Sequence, residues 1–269
     1  MGEVPATWDR EFPPNHVSFK FMNGHEPVFG HIWVAQGAER KGTVIIPPQT
    51  WGGDSLESVV IPLLHSGINA ISFVPIGMWD RTQRTYTMFD AVDDVHALID
   101  WVRSNDYDPN SPIGQFRRRL DPNRIALFGL SGGGGNVSLA ACAESDHVHH
   151  VVAVRPQNMA HNLTVEATRA SYEMVGRPWF ADAGIAKLPD VAERLFVNNI
   201  ADRLAPNHIL IVSAQYEVEE HHRPLVGWLR AAGAEHLDEV VWDTGSGFIT
   251  KRYALARLLI EWLREHAAF

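Results

Sequence analysis

The sequence predicts an α/β protein with a mostly parallel sheet covered by helices on both faces. Short apolar runs alternate with longer amphipathic stretches along nearly the whole chain. Several of these runs are branched and apolar throughout, as strands buried on both faces tend to be. No internal repeat or low-complexity linker interrupts the rhythm, so residues 1–269 read as a single domain.

Residues 17–21 and 29–35 form an opening antiparallel pair, separated by the turn residues Asn23-Gly24. Residues 43–46 are a buried strand, 56–66 a helix closed by Gly67, and 70–74 the next strand. The stretch 89–104 places Ala91, Val95, Leu98 and Val102 on one helical face. Residues 124–128 are a strand and 136–142 a helix; 151–154 and 208–213 are two further strands. Residues 223–232 form a helix stopped by Gly233, 238–242 the last strand and 251–266 the last helix. Residues 157–202 fit the alternation poorly and read as a small lid or a lengthened crossover.

Composition excludes several partner classes. The net charge is -9, which disfavours nucleic acid and anionic membrane surfaces. No apolar run reaches membrane-spanning length. Residues 1–14 are polar and contain proline, without the apolar core of a secretory leader, so a cytoplasmic protein is expected. The single cysteine, Cys142, leaves no intramolecular disulfide and is expected to be a buried, inert thiol.

The most informative segment is Phe128-Gly129-Leu130-Ser131-Gly132-Gly133-Gly134-Gly135-Asn136. A G-x-S-x-G run between a strand and a helix is the context of a nucleophile elbow. The turn is tight enough that the positions flanking the serine tolerate little side chain, hence Gly129 and Gly133. Ser131 then stands at a helix N-terminus, where amides and macrodipole favour developing negative charge. No Gly-Lys-Ser/Thr follows the glycines, which argues against a P-loop.

With this elbow, the leader Asp121-Pro122-Asn123-Arg124-Ile125 and the helix holding Asp93-Asp94-Val95, the chain resembles the α/β-hydrolase family over residues 28–266. Its tone is that of dienelactone-hydrolase-like or peptidase-like esterases. The resemblance implies an eight-stranded, mostly parallel sheet and a catalytic triad in the order Ser, acid, His. It puts the acid at Glu217, with Glu219 and Glu220 as rivals, in the loop after strand 208–213. That carboxylate would hold the imidazole and stabilise its cation.

The family pattern after the last strand is often Gly-His-Gly-Phe, whereas this chain reads Gly245-Ser246-Gly247-Phe248. Ser246 occupies the histidine position. A hydroxyl is no general base near neutral pH, so Ser131 would keep its proton and attack poorly. Three explanations are compatible with this. Ser246 is an introduced substitution; or the protein is a natural non-hydrolytic member; or His221, His222 or His236 supplies the base.

The resemblance also implies an oxyanion hole made by the Gly132 amide and by the amide of Gln49 or Thr50. Trp51, Met78, Trp79 and Phe248 fall on loops at the expected catalytic edge, as pocket lining or as core. Asp146, His147, His149 and His150 straddle a strand start and read as surface residues rather than a metal cluster. Arg117-Arg118-Arg119 reads as a solvated charge run. The expected function is hydrolysis of a carboxylic ester or lactone of a hydrophobic small molecule, silenced by Ser246. The alternative is a non-hydrolytic protein of the same fold that binds, cyclises or isomerises such a molecule. No metal or cofactor is implied; the expected partner is the small-molecule substrate, and a homodimer stays open.

Overall fold

In the computed structural model, residues 9–47, 57–74, 88–159, 163–174, 181–245 and 248–269 are described. Eight strands make one sheet: β1 (Asn15–Asn23), β2 (Glu26–Val34), β3 (Lys41–Ile46), β4 (Asn69–Val74), β5 (Leu120–Leu130), β6 (His150–Val154), β7 (His208–Ala214) and β8 (Leu237–Trp242). Their order is β1-β2-β4-β3-β5-β6-β7-β8. β1 pairs antiparallel with β2, and β2 antiparallel with β4; every other neighbour is parallel. The expected mostly parallel sheet is therefore mixed at one edge.

The described helices are α1 (Glu57–His65), α2 (Met88–Arg103), α3 (Pro112–Arg117), α4 (Ser131–Glu144), α5 (Val165–Met174), α6 (Ala181–Ala186), α7 (Leu188–Leu195), α8 (Val197–Leu204), α9 (Arg223–Ala231) and α10 (Arg252–His266). Side chains alternate between two cores, as a pleated strand requires. Ile45, Leu127, Val151, Ile209 and Ile211 pack with α2, α4, α7, α8 and α9. Their chain neighbours Val44, Ile46, Ala126, Phe128, Val152 and Leu210 pack with α1 and α10 on the other face. Ala91, Val95, Leu98 and Val102 of α2 are all buried, as their spacing predicts.

Two expectations need correction. The helix after the elbow begins at Ser131 rather than at residue 136, so all four glycines lie inside it and are buried. The arginine run is not a solvated face either. Arg118 is exposed, but Arg117 and Arg119 are buried. Arg117 stacks 4.2 Å over Trp101 and 4.3 Å over Tyr107, and donates Nη2 to the Ser104 carbonyl at 2.8 Å. Arg119 donates Nη2 to the carbonyls of Pro13 (3.3 Å) and Ala35. Burial disfavours both cations, and backbone carbonyls answer it. A charge run carries no mark of which members turn inward.

Within residues 157–202 the second half is ordinary core. Val191 and Leu195 of α7 and Val197, Ile200, Ala201 and Leu204 of α8 are buried. The first half is shallower: α5 buries Thr168 and leaves Met174 72% exposed.

Candidate active site

The parallel strands end together, and β5, β6 and β7 each deliver one residue of the site at that edge. Leu130 of β5 pairs with Val154 of β6, which pairs with Val212 of β7. The next residues out are Ser131 and Arg155, and the chain after β7 reaches Glu217 in a short 3-10 turn, Gln215–Glu217.

Ser131 has φ 63°, a left-handed backbone that side chains other than glycine seldom adopt. It is held there by close contact on both sides. A Cβ at Gly129 would strike the Gly134 carbonyl oxygen and lie 2.5 Å from Ser138 Oγ. Four glycines in a helix cost roughly 1 kcal/mol each against alanine. Their position accounts for two of them. Gly132 and Gly135 face the chain leaving β6, where a Cβ would lie 2.6 Å from Gln157 Cδ and 3.3 Å from Pro156 Cα respectively. Glycine lets the segment 155–157 lie directly on the first turn of α4.

Asn136 fixes that approach. It is fully buried; its Oδ1 accepts from the Gln157 amide at 2.8 Å and its Nδ2 donates to the Gln157 carbonyl at 2.9 Å. The same Nδ2 reaches the Leu195 carbonyl at 3.4 Å. One side chain thus ties α4 to both ends of the excursion between residues 157 and 195.

Glu217 is buried, whereas Glu219 and Glu220 are exposed and Glu219 pairs with Arg223. The partner of Glu217 is Arg155, whose Nε donates to the two carboxylate oxygens at 3.0 and 2.8 Å and whose Nη2 donates to Oε1. Arg155 also has a left-handed backbone, φ 53°, and its amide donates to the Val212 carbonyl at 2.7 Å.

The other predicted residues are placed as follows. Gln49, Thr50, Trp51, Met78, Trp79 and Ser246 lie outside the described residues. Phe248 is 2% exposed and packs in the α1/α10 core, its ring 6.1 Å from that of Trp242. Among the alternative bases, His222 is engaged at both nitrogens, 2.9 Å from Ser213 Oγ and 2.9 Å from Glu239 Oε2. His221 is buried on the adjoining π turn, Val218–His222, its Nδ1 unpartnered among the described residues. His236 precedes β8 and stacks on His208 at 4.3 Å, at the opposite end of the strands from Ser131. Six residues of strand separate it from the elbow edge, ~20 Å.

The histidines near residue 147 do not assemble a metal centre. His149 Nδ1 donates to Asn207 Oδ1 at 3.0 Å, and His150 Nε2 donates to the His266 carbonyl at 2.8 Å. Among the described residues no group of three or more His, Cys, Asp or Glu is placed to hold a metal ion. None of the described helices is long and apolar enough to cross a membrane.

Arg155, Gln157 and Asn136 stand at the candidate site and were not marked from the sequence. The available signal was position: Arg155-Pro156-Gln157 directly follows a parallel strand at the edge where ligand-binding residues collect in such sheets.

The architecture is the α/β-hydrolase fold, and solved structures agree. The α/β hydrolase GrgF from Penicillium sp. sh18 superimposes with a TM-score of 0.65 at 19% identity, covering 96% of this chain and 100% of that one. A dienelactone hydrolase from Anabaena variabilis gives 0.58 at 16% identity, covering 94% and 99%. An esterase from Pyrococcus furiosus gives 0.65 at 16% identity, covering 98% and 96%. No family model and no curated protein matches the sequence.

Proposed function

We propose that this chain is a serine hydrolase of carboxylic esters or lactones of small hydrophobic molecules, held at low turnover by Ser246. The observation that carries the reading is the left-handed Ser131 at the first residue of α4. Strain of this kind is retained where a function needs it. Ser131 Oγ attacks the acyl carbon. The developing oxyanion is met by the Gly132 amide and by an amide from Gln49 or Thr50. Glu217 is the triad acid, and a histidine at 246 would be the base it orients. With serine there, the Ser131 proton has no acceptor of suitable basicity, and only binding and the oxyanion hole remain to accelerate the reaction.

A fluorophosphonate probe tests this. It is expected to label Ser131 rapidly in Ser246→His and slowly in the chain as it stands. Absence of labelling in both, with the variant folded, rejects the reading.

One observation favours a second reading, a non-hydrolytic protein that binds, cyclises or isomerises a hydrophobic small molecule. Arg155 already neutralises Glu217, so the acid position has a cation without a histidine. Under that reading Ser246→His stays unlabelled while the small molecule still binds.

A further inference from the structure

Gln157 lies beside the first turn of α4, next to the proposed nucleophile. Its side chain rests flat on Gly132, the residue whose amide follows the nucleophile: a Cβ there would lie 2.6 Å from Gln157 Cδ and 2.9 Å from its Cγ. Its backbone is fixed from three directions. Asn136 takes both its amide and its carbonyl, Pro156 precedes it with a restricted φ, and Arg155 before that is anchored on Glu217 and Val212. The carboxamide itself is partly exposed and makes no hydrogen bond among the described residues.

A carboxamide carried on a fixed backbone, beside Gly132 and without a partner among the described residues, acts as a filter. Covering it with an alkyl group strips its water and returns nothing, a loss of about 10-fold or more in affinity. Covering it with a group that donates or accepts avoids that loss. Sites that leave a buried polar group unmatched reject the wrong substrate most strongly.

We infer that Gln157 is the specificity residue of this site. It selects acyl groups that carry a hydrogen-bonding function (hydroxyl, oxo or amide) on the carbon next to the scissile carbonyl. The inference rests on Ser131 being the nucleophile proposed above.

Boronic acids test it without turnover: a trigonal boron takes the Ser131 oxygen as a fourth ligand, becoming a tetrahedral anion, while the hydroxyl proton passes to the base. The affinities of acetamidomethylboronic acid and butylboronic acid are measured by calorimetry for Ser246→His, alone and with Gln157→Leu or Ser131→Ala added, so that a base is present at position 246. The amide-bearing boronate is expected to bind Ser246→His at least ~10-fold tighter, and Gln157→Leu to erase that preference while keeping butylboronate binding. Ser131→Ala is expected to lose both. If Gln157→Leu fails to fold, Gln157→Met, of similar length and apolar at its end, takes its place. A preference that survives removal of the carboxamide, or no preference in Ser246→His, overturns the inference and leaves the nucleophile standing. If neither boronate binds, or both bind Ser131→Ala unchanged, the nucleophile reading falls and the inference with it.

Discussion

Arg155 grips Glu217 side-on, with Nε 3.0 and 2.8 Å from the two carboxylate oxygens. The guanidinium comes from the residue after β6, the strand next to that preceding Ser131, so a permanent cation stands between the strand of the proposed nucleophile and the proposed acid. In a working triad the acid's charge stabilises an imidazolium. Here the same charge is matched before any histidine is present.

Arg155→Gln is expected to destabilise the protein by about 3 kcal/mol, because it leaves a buried carboxylate without its partner. Arg155→Gln with Glu217→Gln is expected to recover most of the loss, since neither amide is charged. A double-mutant cycle in urea checks this. Additive losses would mean the two residues contribute separately.

Gly129→Ala is expected to cost about 3 kcal/mol or more and to disable the site, since its Cβ meets the Gly134 carbonyl, which is helix backbone. Gly132→Ala meets the flexible Gln157 side chain instead, so its fold is expected to survive while the pocket changes. Thermal melts of the two variants separate the cases; equal melting temperatures would contradict the packing described.

Acid is expected to loosen the protein in two stages. His150 and His208 have pKa values below the ordinary 6.5, chiefly because burial disfavours their charged forms; the neighbouring histidines add to this. Folded, they hold fewer protons than unfolded, so stability falls as pH drops below about 6.5. Glu144 follows. Burial pushes its carboxyl up, but His96 and Arg194 overrule this and hold it at about 2, against an ordinary 4.5. Its contribution is present above pH 4.5 and is lost as pH falls toward 2. Thermal melts from pH 7.5 to 3 check this, and His208→Phe is expected to flatten the upper stage. An unchanged upper stage in His208→Phe would place that loss elsewhere.

Cys142 is 1% exposed, its thiol donates to the Val148 carbonyl at 3.5 Å, and burial pushes its pKa up to about 12. Native protein is expected to resist thiol reagents at pH 8, with one thiol appearing in denaturant. Rapid native labelling would contradict the packing of α4.

Much of the fold was legible because it follows from periodicity. The branched runs at 43–46 and 208–213 are strands buried on both faces, and the apolar stripe on 89–104 is a buried helical face. The elbow was legible because its sterics demand glycine at fixed positions. Arg155, Gln157 and Asn136 were not, since their roles arise from segments some 20 to 60 residues apart meeting at one sheet edge. Arg117 and Arg119 were misread for the same reason: composition shows charge but not which carbonyls wait for it.

Under the proposed function Ser131 is a competent nucleophile lacking only its base. Hydrolysis of p-nitrophenyl acetate by the chain, by Ser246→His and by Ser246→His with Ser131→Ala, measured side by side, tests it most directly. Turnover by Ser246→His is expected to run at least ~10³-fold above that of the chain and to be abolished when Ser131 is also replaced. Equal rates for the chain and Ser246→His, or a rate that survives the loss of Ser131, would contradict it.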